Sequence, residues 1–159
     1  MTKTILITGA TDGIGLLTAT NLAAEGHTIL LHGRNASKLD AAQKQVGGTT
    51  EVYNADLTNL AQVRRMAADI RAAHSQLDVI INNAGVLKLA NPVTADGFDA
   101  RFVVNTFAPY VLTRALLPIV PDDGRIVNLS SAAQAAVDLE ALQGRKSLDD
   151  MSAYAQSKL

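Results

Sequence analysis

The sequence predicts an α/β domain whose parallel sheet is covered by helices on both faces. Three observations indicate this fold class: short apolar runs without polar alternation, longer helical segments between them, and a glycine-rich turn directly after the first run. Strands of a parallel sheet are buried on both faces and are therefore apolar throughout, and the helix between two strands provides the crossover. The 159 residues contain no repeat or linker, so we expect one doubly wound domain over residues 1–159.

Strands and helices are expected to alternate along the chain. Apolar runs predict five strands, at residues 4–8, 27–31, 51–54, 77–82 and 125–129. Helices are predicted at residues 14–25, 60–74 and about 98–117. A further helix after the second strand is predicted to begin at an N-cap formed by Ser37. A further helical turn is expected at residues 138–142, in a segment that otherwise carries little information.

The composition excludes several classes of function. The chain is 48% hydrophobic and 18% charged, as an ordinary globular protein is. Fourteen basic and fifteen acidic residues give a net charge of -1, which offers no electrostatic footprint for nucleic acid or anionic lipid. The absence of cysteine excludes disulfides, thiolate metal sites and a cysteine nucleophile. His27, His32 and His74 have no metal-ligand spacing, so no metal site is expected.

No membrane-spanning segment is expected either. The longest apolar stretch, residues 108–120, contains Arg114 and two prolines and is shorter than a bilayer span. No signal peptide is expected, because a strand-like run begins by Thr4. We therefore expect a cytoplasmic protein that acts on a small molecule, with neither nucleic acid nor membrane as a partner.

The turn after the first strand predicts a phosphate-binding site. Gly9 follows the strand, and Gly13 and Gly15 flank Ile14 where the first helix begins, directly after Asp12. The N–H groups and the dipole of a helix N-terminus favour an anion, and glycine lets a diphosphate approach the backbone. The alternative is a tight strand–helix turn that binds nothing.

Tyr154 and Lys158 predict a proton-transfer site. They lie at positions i and i+4, so they are expected to share one face of a helix. A free tyrosine has a pKa of about 10, and a nearby ammonium lowers that pKa towards neutrality by favouring the phenolate. Taken alone, the pair is also compatible with an exposed helix surface.

Several motifs occur together in one order. They are the Gly-x-x-x-Gly-x-Gly turn, Asn82-Asn-Ala-Gly85, Asn105, Ser130-Ser131 and Tyr154-x-x-x-Lys158. This set resembles the short-chain dehydrogenase/reductase family over essentially the whole chain. The tail at residues 153–159 and the long gap before Tyr154 are most similar to its retinol-dehydrogenase-like branch. The resemblance implies a Rossmann-type fold and hydride transfer between a nicotinamide cofactor and a carbonyl or alcohol.

The resemblance also implies roles for individual residues. Tyr154 is expected to protonate the carbonyl oxygen, or to remove the hydroxyl proton in reverse, while Lys158 contacts the nicotinamide ribose. Both residues are also expected among the cofactor contacts. Ser131 is expected to orient the carbonyl, with its neighbour Ser130 as a rival. Asn105 is expected to help hold a proton-relay water, although an interhelical hydrogen bond would explain it as well.

Arg34 indicates which nicotinamide cofactor is used. The second strand ends at Leu31-His-Gly-Arg34 without the acid that binds the ribose diol of NAD. In similar enzymes an arginine after the Gly33 position accompanies NADP, whose 2′-phosphate it can bind in bidentate fashion. Asp12 opposes this interpretation, because that position is often basic in NADP-using relatives. NADP is favoured over NAD, and a solvated surface arginine is the alternative.

Further cofactor contacts are expected after the third and fourth strands. These residues are Asp56, Leu57, Asn83, Ala84 and Gly85. Asp56 is open to a second interpretation as the cap of the helix that begins at Leu60. Asn82 is expected to satisfy buried backbone groups instead of contacting the cofactor.

Domains of this type commonly contain roughly 200–250 residues. The family continues beyond the tyrosine helix with two more strands and a substrate-covering loop, so we expect the chain to be part of a longer protein. The fifth strand is then expected to be an uncovered edge of the sheet. A catalytically inactive nucleotide-binding or interaction fragment is the alternative function. The resemblance also implies a possible homo-oligomer.

Overall fold

The computed structural model describes residues 2–159 and contains one five-stranded parallel sheet. The strands are β1 (Thr4–Ile7), β2 (Thr28–Gly33), β3 (Thr50–Asn54), β4 (Val79–Asn82) and β5 (Arg125–Asn128). Their spatial order is β3-β2-β1-β4-β5. The order reverses between β1 and β4, which opens a crevice at the carboxyl ends of these strands. The predicted doubly wound, Rossmann-type fold class is confirmed.

Helices connect the strands and cover both faces of the sheet. They are α1 (Gly13–Ala24), α2 (Ala36–Val46), α3 (Leu60–Ala73), α4 (Ala100–Phe102), α5 (Ala108–Leu116), α6 (Leu139–Leu142) and α7 (Asp150–Ser157). A π-helical segment, Val103–Phe107, joins α4 to α5, and a 3₁₀ turn, Leu117–Ile119, follows α5.

Alternate residues of the central strands enter two separate cores. Leu6 and Leu30 point to the face covered by α3 and α5, while Ile5, Ile29 and Leu31 point to the face covered by α1 and α2. Because successive side chains of a strand point to opposite faces, a strand buried on both sides is apolar throughout. This explains why the strand runs lack polar alternation.

The helical region Ala100–Ile119 is long and apolar enough to cross a membrane by length and composition alone, with 20 residues and a mean hydropathy of 1.3. It is longer than the stretch recognised from the sequence because the π-helical segment continues it towards the N-terminus. Core helices of soluble proteins meet the same criterion. Here 33% of the candidate span is buried, and Ala108, Leu112 and Leu116 lie in the core that α5 shares with α3.

The N-cap predicted for α2 was wrong by two residues. Asn35, in extended conformation, accepts a hydrogen bond from the Lys38 N–H at 3.0 Å, and Ser37 lies inside the first turn. An asparagine side chain caps as well as a serine does, so the earlier residue begins the helix. The strand β5 is an exposed edge of the sheet, with Ile126 38% and Val127 43% exposed.

Candidate functional site

A cleft of about 500 Å³ opens at the carboxyl ends of the strands. The turns after β1, β2, β3 and β4 all contribute to its wall. Every residue predicted to contact the cofactor from these four turns lines it: Gly9, Asp12, Gly13, Ile14, Gly15, Arg34, Asp56, Leu57, Asn83, Ala84 and Gly85. The topology therefore brings four separate motifs to one site.

Two glycines of the first turn have no tolerance for a side chain. Gly9 has a φ of 65°, and a Cβ there would lie 2.9 Å from the Ala84 Cα. A Cβ on Gly15 would lie 2.2 Å from the Gly9 carbonyl oxygen. Gly9 is required because its backbone is left-handed and the turns after β1 and β4 approach each other closely there. Gly15 is required because α1 starts directly against the turn after β1.

The N-terminus of α1 faces this cleft without a side-chain cap. Asp12 is its N-cap residue, but the carboxylate accepts no hydrogen bond from the helix. Gly13, Ile14 and Gly15, which form the first turn of α1, all line the cleft. First-turn N–H groups lack partners within the helix, so they can bind an anion here.

Thr8 and Asn83 join the turn after β1 to the turn after β4. The Thr8 hydroxyl accepts hydrogen bonds from the N–H groups of Asn83 and Ala84, each at 3.0 Å. The Asn83 amide donates to the carbonyl oxygens of Thr8 at 2.9 Å and Gly9 at 3.1 Å. Sequence reasoning missed Thr8, although a polar residue at the end of an apolar strand was a visible signal.

His32 braces the same turn from below and was assigned no role from the sequence. Its Nδ1 accepts from the Gly9 N–H at 3.2 Å, so its Nε2 carries the proton donated to the Ala55 carbonyl at 3.0 Å. Burial lowers the pKa of His32 to about 4, against smaller opposing effects of the Ala55 hydrogen bond and the Asp56 charge. The imidazole is neutral at physiological pH and fixed as one tautomer.

Basic and acidic side chains meet where β2 ends. Arg34 and Lys38 both line the cleft, and the Lys38 ammonium lies 3.4 Å from the Asp12 carboxylate. No acid stands at the Gly33 position. This end of the cleft therefore offers two cations and one carboxylate.

Asp56 is not the cap of α3. Asn59 is the N-cap and accepts from the N–H groups of Ala61 and Gln62. The Asp56 carboxylate instead accepts from the Thr58 N–H and hydroxyl, each at 2.9 Å, and lies in the wall of the cleft. The alternative interpretation of Asp56 as a helix cap was wrong, because the helix begins too far along the chain for Asp56 to reach its first turn.

Lys158 approaches the opposite end of the cleft. It is 9% exposed, and its ammonium donates to the Leu129 carbonyl at 2.9 Å. The same Nζ lies 3.2 Å from the position that a Cβ on Gly85 would occupy, with the Asn105 Oδ1 3.5 Å from that point. A positive charge and an amide thus flank the small residue after β4.

Asn105 lies in the π-helical segment and holds the turn after β4. Its Oδ1 accepts from the Val86 N–H at 2.8 Å, and its Nδ2 donates to the Val86 carbonyl at 3.0 Å and to the Ser157 hydroxyl at 2.8 Å. The expected interhelical hydrogen bond therefore exists, to α7. π-helical segments occur often at functional sites, where they redirect a side chain.

Tyr154 and Ser131 lie near this end without lining the cleft. The Tyr154 ring centroid is 5.9 Å from the Lys158 Nζ. The Ser131 hydroxyl accepts from the Ala133 N–H at 3.1 Å, whereas its rival Ser130 donates to the Lys158 carbonyl at 2.8 Å. The structure thus groups Lys158 with Asn105 beside Gly85. None of Asn105, Ser131, Tyr154 and Lys158 lines the cleft itself, although all four were predicted site residues, and Asn105 and Lys158 line a second cavity instead.

The side chain of Asn82 donates hydrogen bonds to other side chains. The prediction that it would satisfy buried backbone groups was wrong. Its Nδ2 donates to Thr113 Oγ1 at 3.1 Å and to Asn128 Oδ1 at 2.8 Å. It lines a second cavity, of about 360 Å³, that lies between α5, β5 and the end of α7. Its side chain faces α5 and β5 because the residue lies at the end of β4, beside both.

A buried arginine holds the start of α7. Arg101 is 1% exposed and is hydrogen-bonded to Asp99, to Asp150 in the first turn of α7, and to the Leu87 carbonyl. The hydrogen bonds to the two carboxylates raise the pKa of Arg101 above its ordinary value, against the effect of burial. The cation therefore orients the helix that carries Tyr154.

The family model for short chain dehydrogenases matches residues 3–159. Human retinol dehydrogenase 13 is 39% identical over 99% of this chain, which spans about half of its length (50%). A crystal structure of an uncharacterised protein from Mycobacterium paratuberculosis superimposes with a TM-score of 0.86 at 36% identity, covering 98% of this chain and 57% of that one.

A metagenomic short-chain oxidoreductase, solved in complex with NADP, has a TM-score of 0.77 at 32% identity and covers 98% of this chain and 70% of its own. The family match extends over nearly all of the chain, and the curated relatives agree with the branch indicated by its tail. The chain therefore belongs to the short-chain dehydrogenase family, in its retinol-dehydrogenase-like branch.

Proposed function

We propose that this chain forms the NADP-binding and catalytic part of an oxidoreductase that interconverts a carbonyl and an alcohol. One observation carries the proposal: a single cleft runs from the uncapped N-terminus of α1 to Gly85, and the buried ammonium of Lys158 lies beside Gly85, just outside the wall of that cleft. An anion-binding helix N-terminus at one end, and a small residue with an ammonium beside it at the other, fit a diphosphate joined to a reactive ring.

The residues of the cleft fit a dinucleotide. The first turn of α1 would hold the diphosphate, and Asp56 and Leu57 lie where the adenine is expected. Arg34 favours the 2′-phosphate of NADP, because it lies in the wall of the cleft after β2 and no acid stands at the Gly33 position. The NADP bound to the metagenomic relative supports the same choice.

When bound, the nicotinamide donates or accepts a hydride. In the reductive direction, the Tyr154 hydroxyl donates its proton to the carbonyl oxygen, and in the oxidative direction the phenolate takes the proton of the alcohol. The Lys158 ammonium lies 5.9 Å from the centre of the Tyr154 ring, so the two groups can act on the same substrate. Ser131 orients the carbonyl oxygen, and Asn105 keeps the turn around Gly85 in place through Val86.

The substrate we propose is a lipophilic alcohol or carbonyl. The branch to which the chain belongs contains retinol dehydrogenases. The segment between Ser131 and Tyr154 also exposes the large apolar side chains of Leu139 (64%) and Met151 (53%). Exposed apolar side chains beside a catalytic helix favour an apolar ligand.

Titration of the chain with NADPH and NADH, followed by spectrophotometric assays of NADPH oxidation over a panel of carbonyls, tests the proposal. We expect tighter binding of NADPH and turnover of at least one lipophilic carbonyl. Binding without turnover by any panel member would favour the alternative, a catalytically inactive nucleotide-binding part. Absence of binding by both dinucleotides would contradict both functions.

A further inference from the structure

Asp12 behaves differently from the other acidic and amide residues at helix N-termini. Every other aspartate or asparagine at an N-cap in residues 2–159 accepts a hydrogen bond from its own helix: Asn35, Asn59, Asp99, Asp138 and Asp149. Asp12 accepts none from α1. Its Oδ2 instead accepts from the Lys38 ammonium at 3.4 Å, so the carboxylate is directed towards α2.

This orientation affects the N–H groups at the start of α1. A capping carboxylate satisfies the N–H groups of the second or third helical residue. Those groups belong here to Ile14 and Gly15, which line the cleft. A capping Asp12 would therefore compete with a diphosphate for the same donors, and the Lys38 contact keeps the carboxylate away from them.

The pair also affects the net charge of the cleft. Asp12, Lys38 and Arg34 all line it, and both members of the pair are largely exposed, at 77% and 62%. An unpaired carboxylate would repel a 2′-phosphate, and a neighbouring ammonium offsets that repulsion. The glycine turn carries an acid, Asp12, at this position. Lys38, on α2, provides the cation that offsets it.

We propose that the Asp12–Lys38 ion pair determines coenzyme preference, because Lys38 offsets the Asp12 charge where the 2′-phosphate would bind. By holding Asp12 off the N-terminus of α1, Lys38 also favours the diphosphate, which both dinucleotides share. This inference rests on the proposed function and deepens it. Arg34 contacts the 2′-phosphate, while Lys38 acts mainly through Asp12. Lys38 is therefore a positioning residue.

A double-mutant cycle tests this role through the ratio of NADPH to NADH affinity, measured by fluorescence titration. Lys38→Gln is expected to lower the ratio about fivefold, the order expected for one uncompensated charge near a surface phosphate. Asp12→Asn is expected to leave the ratio unchanged or higher. In the Asp12→Asn background, Lys38→Gln is expected to change the ratio by less than about twofold, because the charge to be offset is gone.

Lys44→Gln is the matched control, since Lys44 is exposed in the last turn of the same helix. An equal loss from Lys38→Gln in both backgrounds would mean that Lys38 acts on the phosphate independently of Asp12, and would overturn the inference. A loss no greater than that of Lys44→Gln would overturn it as well. In both of these cases the proposed function survives, whereas failure of the unsubstituted chain to bind either dinucleotide removes both.

Discussion

The Nδ2 of Asn105 lies 2.8 Å from the Ser157 hydroxyl oxygen and joins the π-helical segment to the last turn of α7. Ser157 in turn donates to the Tyr154 carbonyl at 2.8 Å. The asparagine that holds the turn after β4 therefore also holds the helix that carries Tyr154 and ends directly before Lys158. One chain of hydrogen bonds therefore joins the turn after β4 to the helix that carries Tyr154.

The strength of this connection can be measured with the variants Asn105→Ala, Ser157→Ala and the double variant. We expect a coupling of about 1 kcal/mol in the free energy of unfolding, the usual net contribution of one hydrogen bond. Urea denaturation measures it. Additive effects of the two single substitutions would show that the hydrogen bond contributes nothing to stability.

Tyr154→Phe is expected to lower turnover by roughly 10²–10⁴-fold, because it removes the group that transfers the proton. Affinity for NADPH should change little, since Tyr154 is outside the wall of the cleft. Steady-state kinetics and titration measure the two effects. Tyr110→Phe is the matched control, because Tyr110 is 65% exposed on α5. Unchanged turnover in Tyr154→Phe would exclude the phenol as proton donor.

Arg34→Gln is expected to weaken NADPH binding about tenfold or more, as expected for loss of charge-assisted hydrogen bonds to a phosphate. Binding of NADH, which lacks the 2′-phosphate, should stay within about twofold. The control is Arg65→Gln, an exposed arginine on α3 outside the cleft. Equal losses for the two dinucleotides would contradict recognition of the 2′-phosphate by Arg34.

Arg101→Met is expected to destabilise the protein by about 2–3 kcal/mol, because it leaves Asp99 and Asp150 without their shared cation. Arg145→Met is the control. Arg145 pairs with Glu140, and both side chains are more than half exposed, at 58% and 57%. An exposed pair contributes little to stability, because water screens it. Thermal and urea unfolding compare the two variants, and equal effects would contradict the structural role assigned to Arg101.

His32 makes the stability of the protein depend on pH in the acid range. Its pKa is about 4 in the folded protein and 6.5 when exposed, so the unfolded chain binds more protons between these values. Stability is therefore complete above pH 6.5 and falls as the pH decreases towards 4, by about 3 kcal/mol in all.

His32→Gln removes this titration and keeps a side chain that can donate and accept. The difference in unfolding free energy between the unsubstituted protein and His32→Gln should therefore shrink as the pH falls through this window. Comparing the two proteins separates His32 from carboxylates such as Asp78, whose pKa is also lowered and whose protonation destabilises the fold at still lower pH. Parallel stability curves would contradict a neutral buried imidazole.

The sequence by itself determined the fold class, the order of the strands along the chain and the glycine-rich turn of the cleft. These follow from local properties: apolar runs such as β1 and β2 have only one environment that suits them, and Gly9 and Gly15 mark a turn that other residues cannot form. The sequence did not identify His32 and Lys38, which also line the cleft. The family resemblance supplied Asn105 and Lys158 as candidates, since a single amide or ammonium carries no local signal.

Only the tertiary structure decided what these groups contact. Thr8 and His32 brace the first turn through partners 75 and 23 residues away in sequence, separations that no local pattern encodes. The cap of α2 at Asn35, the Asx turn of Asp56 and the ion pair of Asp12 with Lys38 depend on which of several suitable polar partners lies within reach. Hydrogen bonds and ion pairs require distances of a few ångströms, and packing of the helices on the sheet sets those distances.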